Sequence, residues 1–136
     1  MIVKLKGLLL NNKFIRFSII GGFGYFVDIF VLFVAFEIFN ISVYFSRLIS
    51  AIFAATFTWL GNRIFTFSST KRSNILKEWV DYLYAMIPGA VVNYALFSFI
   101  VFIFGSGRMV LIIAVSLGVL AGLIINYNIA RKYVFK

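Results

Sequence analysis

Residues Gly21 to Phe39, GGFGYFVDIFVLFVAFEIF, form an apolar run with a single carboxylate, Asp28, near its middle. A bilayer core of about 30 Å is crossed by about 20 apolar residues in a helix, which satisfies its own backbone polar groups. A charge at the centre of such a span costs about 2.5–3.5 kcal/mol on insertion scales, so Asp28 requires a partner or a wet cavity. Gly24 and Gly21 lie four and seven residues earlier. At helical spacing they share a face with the carboxylate and allow another backbone to approach. That face is expected to point at protein.

Three similar runs follow, and the spans are expected at about 17–39, 46–67, 79–104 and 109–130. The chain is 63% hydrophobic and 12% charged, against about 25% charged for a soluble domain. The fold class expected is an all-α integral membrane protein, one transmembrane domain over 1–136. Residues 1–16 carry Lys4, Lys6, Lys13 and Arg16 around Leu8–Leu10, too short an apolar group for a signal peptide, and read as an interfacial lead-in. The segment Ser68–Lys77 reads as a polar loop between two halves. Trp79, Tyr82 and Tyr84 are placed as an aromatic belt. Pro88 is expected to kink the third span or loosen its first turn.

Thirteen Lys and Arg against four acids give a formal charge of +9. These cations flank the apolar runs, so topology and anionic lipid explain them before nucleic acid does. The N-terminal segment, the loop after span two and the C-terminal tail hold most of them, and the two short turns hold only Arg47 and Arg108. Both termini are therefore expected to be cytoplasmic. With no cysteine and no histidine, disulfides, thiolate metal sites and His-based triads are excluded. The dispersed carboxylates offer no acid–base pair, so neither an enzyme nor a cofactor is expected. Glu37 is expected to pair with Arg47 across the first turn, and Glu78 and Asp81 to make solvated pairs near Lys77 and Arg131.

The halves align as a two-span repeat. Gly24–Asp28 lies over Gly89–Asn93, and Arg63-Ile64-Phe65-Thr66-Phe67 lies over Arg131-Lys132-Tyr133-Val134-Phe135. Thr58 and Asn126 each precede the matched arginine by five residues. An even number of spans per unit keeps both halves in the same orientation, with a pseudo-two-fold axis along the membrane normal. A site is expected at their interface.

Asp28 with Asn93 can form a polar centre for a proton or for sugar hydroxyls, or act as an interhelical clamp. Arg63 and Arg131 sit where guanidinium groups hold a phosphate at headgroup depth, or where they serve as snorkelling stop signals. Thr58, Asn62, Asn126 and Asn128 border them and favour the phosphate reading, with Lys13 and Arg16 as weaker recruiters. Gly118 and Gly122 in span four, like Ser50 and Ala54 in span two, form small-residue stripes suited to packing.

RFSIIGG near the start, Asp28 in span one, NRIFTF closing span two and ARKYVF closing span four make the chain resemble the GtrA-like family of small four-span membrane proteins. The resemblance implies a role in bacterial or archaeal cell-surface polysaccharide synthesis. It implies a plasma-membrane protein that flips a polyprenyl-phosphate monosaccharide beside the glycosyltransferase that makes it. By position it points to Asp28, Asn62, Arg63, Asn126 and Arg131, with Thr58 and Ala130 departing from the asparagine usual there. The alternatives are a scaffold for the glycosyltransferase that moves nothing, or a small proton-coupled cation exporter. Four spans enclose little volume, so a homodimer is a further expectation.

Overall fold

The computed structural model describes residues 7, 11–68 and 73–135. The expectations for Lys4, Lys6, Leu8–Leu10, Lys71, Arg72 and Lys136 lie outside the described residues. Four helices follow one another: α1 (Lys13–Phe33), α2 (Val43–Gly61), α3 (Ile75–Phe104) and α4 (Arg108–Ile129). Each is long and apolar enough to cross a membrane, and no strand occurs among the described residues. The chain is a multi-pass all-α membrane protein.

Local chemistry sets the helix ends. Asn12 and Asn74 cap α1 and α3, their side-chain oxygens accepting from the Phe14 and Lys77 amides at 2.9 and 3.0 Å. An N-cap of this kind satisfies an orphan amide. Because Asn74 is a cap, α3 begins at Ile75, ahead of the start expected near Trp79, and Glu78 falls in its first turn. Three helices end in a single π turn, at Val34–Ile38, Asn62–Thr66 and Ala130–Val134. Their last carbonyls accept from the amide five residues on, as in Phe67 to Asn62 (2.8 Å) and Phe135 to Ala130 (3.0 Å). α3 instead stops at Gly105, whose φ of +83° suits a residue without a Cβ. Pro88 lies well inside α3, thirteen residues from its start, and helix continues on both sides. The expected loosening of a first turn therefore does not arise.

Neighbours in sequence pack side by side, α1 with α2 and α3 with α4, while α2 meets α3 and α1 meets α4 across the two halves. The diagonal pairs make no such contact among the described residues, which leaves space along the bundle axis. Two apolar clusters close that space. One, at the end bearing the termini, holds Phe17, Trp59, Phe67, Tyr82, Tyr127 and Phe135. The other, beneath the turns joining α1 to α2 and α3 to α4, holds Leu32, Val43, Phe97, Val101 and Leu111. Phe67 and Phe135, equivalent in the sequence alignment, stack at 4.5 Å with planes 7° apart. Tyr82 is buried in the first cluster and is not a belt residue, whereas Tyr84 is exposed.

Candidate functional site

Between the two clusters lies a cavity of about 190 Å³ lined by all four helices. Glycines make the room. A Cβ on Gly24 would overlap Thr58, one on Gly89 would overlap Asn126, and one on Gly118 would overlap Asn93. Gly24 and Gly89, and likewise Thr58 and Asn126, are matched positions in the alignment of the halves. The small-residue stripes thus seat polar side chains against facing helices.

Arg47 dominates the wall nearest the interhelical turns. It is 3% exposed, one turn into α2, and its Nη1 donates to Asp28 Oδ1 at 2.5 Å and to Ser50 Oγ at 3.1 Å. Nη2 donates to Asn93 Oδ1 at 2.8 Å, and the guanidinium lies over the Phe97 ring. Asp28 and Asn93 are brought together through Arg47. Asp28, 4% exposed, has both a cationic partner and a cavity beside it. The expected Glu37–Arg47 pair is not formed. Glu37 is held instead by Arg108, at 2.8 and 2.9 Å, because the two interhelical turns lie side by side.

From sequence Arg47 is expected only as the partner of Glu37, not as a residue of the site. A cation five residues past a turn reads as a boundary charge. Continuing the Ser50, Ala54, Thr58 stripe back by one turn would have reached it.

At the opposite wall stand Thr58, Asn62 and Asn126. Tyr82 donates to Thr58 Oγ1 at 3.3 Å, and Thr66 donates to Asn62 Oδ1 at 2.8 Å. Three buried polar atoms along the cavity lack a protein partner: Arg47 Nε, Asn62 Nδ2 and Asn126 Oδ1. They comprise two donors and one acceptor. Buried polar groups are nearly always paired, so three around one space mark a place for a polar ligand or water.

The remaining expected residues lie outside the cavity. Arg63 is paired with Glu78 at 2.6 Å, and Glu78 also accepts from Trp59 Nε1 at 3.1 Å. Glu78 is fully buried, so the solvated pairing expected for it is corrected: it points into the bundle, while Ile75, Leu76 and Lys77 of the same turn are exposed. Asn128 faces outward and donates to the Ile124 carbonyl of its own helix at 3.0 Å, so it does not border the cavity. Arg131 and Lys13 are exposed, and Arg16 donates to the Phe65 carbonyl at 3.0 Å. In the alignment Lys13 stands where the second half has Glu78. Arg63 therefore has an acid beside it, whereas the position matching that acid in the first half is a lysine.

The two carboxylate pairs differ in depth, and their removal should differ accordingly. Glu78→Gln is expected to lower stability by on the order of 3 kcal/mol, because it strips a buried pair of one charge. Glu37→Gln, at an exposed pair, should leave unfolding unchanged. Equal effects in a thermal unfolding series would contradict that ordering.

Access to the cavity is lateral. Leu48 and Ala90 both line it and are exposed on the bundle surface, so it opens between α2 and α3. Ala51 and Ala55 on α2 line it as well. From Arg47 on α2 to Asn62, the residue just past its end, the lining spans 15 residues or about 22 Å at 1.5 Å each.

A family model described as the GtrA/DPMS transmembrane domain matches residues 16–135. Neither the curated proteins nor the solved structures gave a match. The matched stretch contains every residue that lines the cavity and nearly the whole of all four helices, so the chain belongs to the GtrA/DPMS transmembrane domain family.

Proposed function

We propose that this protein carries a polyprenyl-phosphate-linked monosaccharide from the cytoplasmic to the outer leaflet, without catalysing a reaction. The observation that carries the reading is the laterally open cavity, closed by apolar clusters at both ends and lined with unpartnered donors and an unpartnered acceptor. A sugar offers hydroxyls that both donate and accept, and its lipid chain can stay in the bilayer outside the α2–α3 seam. The length of the lining from Arg47 to Asn62, about 22 Å, covers most of a hydrocarbon core of about 30 Å. A cavity near 190 Å³ lies below the ~300–1,000 Å³ of drug-sized ligand pockets, which suits one sugar ring better than a chain of them.

Charge supports the direction. The end bearing the termini holds Lys13, Arg16, Arg63, Lys77, Arg131 and Lys132, while at the other end Arg47 is buried against Asp28 and Arg108 is paired with Glu37. This asymmetry favours a cytoplasmic location for the basic end. Arg131 and Lys13, exposed at that end, are the recruiters of the lipid phosphate, and Arg63, held by Glu78, plays a structural part. The matched seats of Thr58 and Asn126 and the Phe67–Phe135 stack favour two halves related by an axis along the membrane normal. A membrane glycosyltransferase would supply the substrate.

The test is the leaflet accessibility of a short-chain polyprenyl-phosphate hexose in proteoliposomes. Faster equilibration than in empty vesicles, lost on Asn126→Leu, is the expected result. Equilibration no faster than in empty vesicles would make the protein an anchor for the transferase instead.

A further inference from the structure

Arg47 is buried more deeply than a boundary arginine needs to be, and its position is over-determined. Asp28, Ser50 and Asn93 hold the two terminal nitrogens and the Phe97 ring lies against the guanidinium plane. Nε is buried and unpartnered, and Arg47 lines the cavity. An unpaired N–H in such a place is costly, and a ligand oxygen would relieve it. Nε with the adjacent terminal nitrogen is also the edge by which arginine holds phosphate oxygens side-on.

We propose that Arg47 is the phosphate-binding residue of the cavity, receiving a phosphate-ester oxygen on its free Nε–H near the turn-bearing end of the cleft. This rests on the transport reading above in taking that ester to be the linkage between lipid and sugar. The exposed cations at the basic end and Arg47 would then be two stations for one anion, separated along the cleft. Asp28 tempers the second station. Its carboxylate already offsets the guanidinium charge, so an arriving anion shares a cation that is half spoken for. A site of that kind binds without trapping, as a carrier requires. Removing the Asp28 charge should therefore tighten phosphate binding, whereas a purely structural Arg47 would give no such change.

The experiment compares equilibrium binding of citronellyl phosphoglucose with that of neutral citronellyl glucoside to the full chain in nanodiscs. Wild type is expected to prefer the phosphorylated probe by about tenfold, the scale of one hydrogen bond to a charged group. Asp28→Asn should increase that preference by a similar factor. Arg47→Gln combined with Asp28→Asn keeps a neutral hydrogen-bonding pair, so it avoids an uncompensated buried acid. It should bind both probes alike, with the glucoside bound as by wild type. A double variant that keeps the wild-type preference, an Asp28→Asn variant that loses it, or a wild type without one would overturn the assignment. If wild type still translocates citronellyl phosphoglucose under any of those outcomes, only Arg47's role falls. Wild type that binds neither probe overturns both readings. Glucose 1-phosphate and inorganic phosphate serve as competitors. Failure to displace the lipid probe identifies a lipid-linked ester as the ligand, and equal displacement assigns Arg47 to soluble phosphates.

Discussion

Replacing Arg47 with leucine is expected to destabilise the protein by about 3–5 kcal/mol, the cost of leaving a buried charge without its partner. Asp28 accepts from Arg47 at 2.5 Å, and both side chains are at least 95% buried. The single change would leave Asp28 facing a cavity between apolar clusters. Arg47→Gln with Asp28→Asn should cost less than half as much, since both charges leave together and amides can still bond to Ser50 and Asn93. Measured beside Arg47→Gln and Asp28→Asn alone, the double variant's loss should fall short of the sum of the two single losses by the coupling between the side chains, expected toward the upper part of the 0.5–3 kcal/mol range seen for contacting residues. Thermal unfolding in detergent, followed by Trp59 and Trp79 emission, measures it. Trp59 packs in the cluster at the basic end, away from Arg47, so it reports unfolding of the bundle and not the substitution itself. A double variant whose loss equals the sum of the two single losses would mean that the two side chains do not sustain each other.

The same pair shows where the sequence was readable and where it was not. An acid in the middle of a span had to meet a partner or water, and its face was marked by Gly24, so Asp28 could be placed against protein from spacing alone. Its partner could not. Arg47 is the residue that a charge-counting rule assigns to the membrane boundary, and choosing between Glu37 and Asp28 depends on how the helices rotate when they pack. The interhelical turns settled the other choice, since Arg108 reaches Glu37 only because those turns lie side by side. Glu78 was misplaced for a local reason: Asn74 caps α3 earlier than the polar composition around it suggests, and the added turn swings the acid inward onto Arg63 and Trp59. The π turns left no common compositional trace, since the Arg-x-aromatic-x-Phe pattern accompanies only the two closing α2 and α4; widening a last turn changes which amide meets which carbonyl and not which residues are present. Thr58, Asn62, Asn93 and Asn126 were legible because polar side chains at helical spacing in apolar spans have few places to go. Asn128 was misread for that reason: it satisfied its amide on its own helix at the surface.

Adding one methyl group at Gly89 is expected to abolish most translocation while leaving the bundle folded, and the same change at Gly24 should cost stability as well. Both Cβ atoms would meet a polar side chain across a helix contact, but the neighbours differ in how they can yield. Asn126 presents the far end of a flexible side chain, and its Oδ1 has no protein partner to lose. It can swing aside, and the gain of about 1 kcal/mol in helix propensity from glycine to alanine offsets part of the crowding. The amide would then no longer stand where the proposed transport places a sugar hydroxyl. Thr58 is β-branched and stiff about its first torsion, and its hydroxyl is engaged by Tyr82. Its methyl cannot turn away without breaking that contact, so Gly24→Ala should cost about 1–3 kcal/mol, as overpacking does. Gly22 is the control. It is exposed, with nothing within 4 Å of where its Cβ would lie, so Gly22→Ala should be neutral or slightly stabilising and should transport normally. Thermal unfolding together with leaflet accessibility of the short-chain lipid distinguishes the three variants. If Gly89→Ala transported at the wild-type rate, Asn126 would be a packing residue, and the cavity would have to select its ligand through Asn62, Asn93 and Arg47 alone.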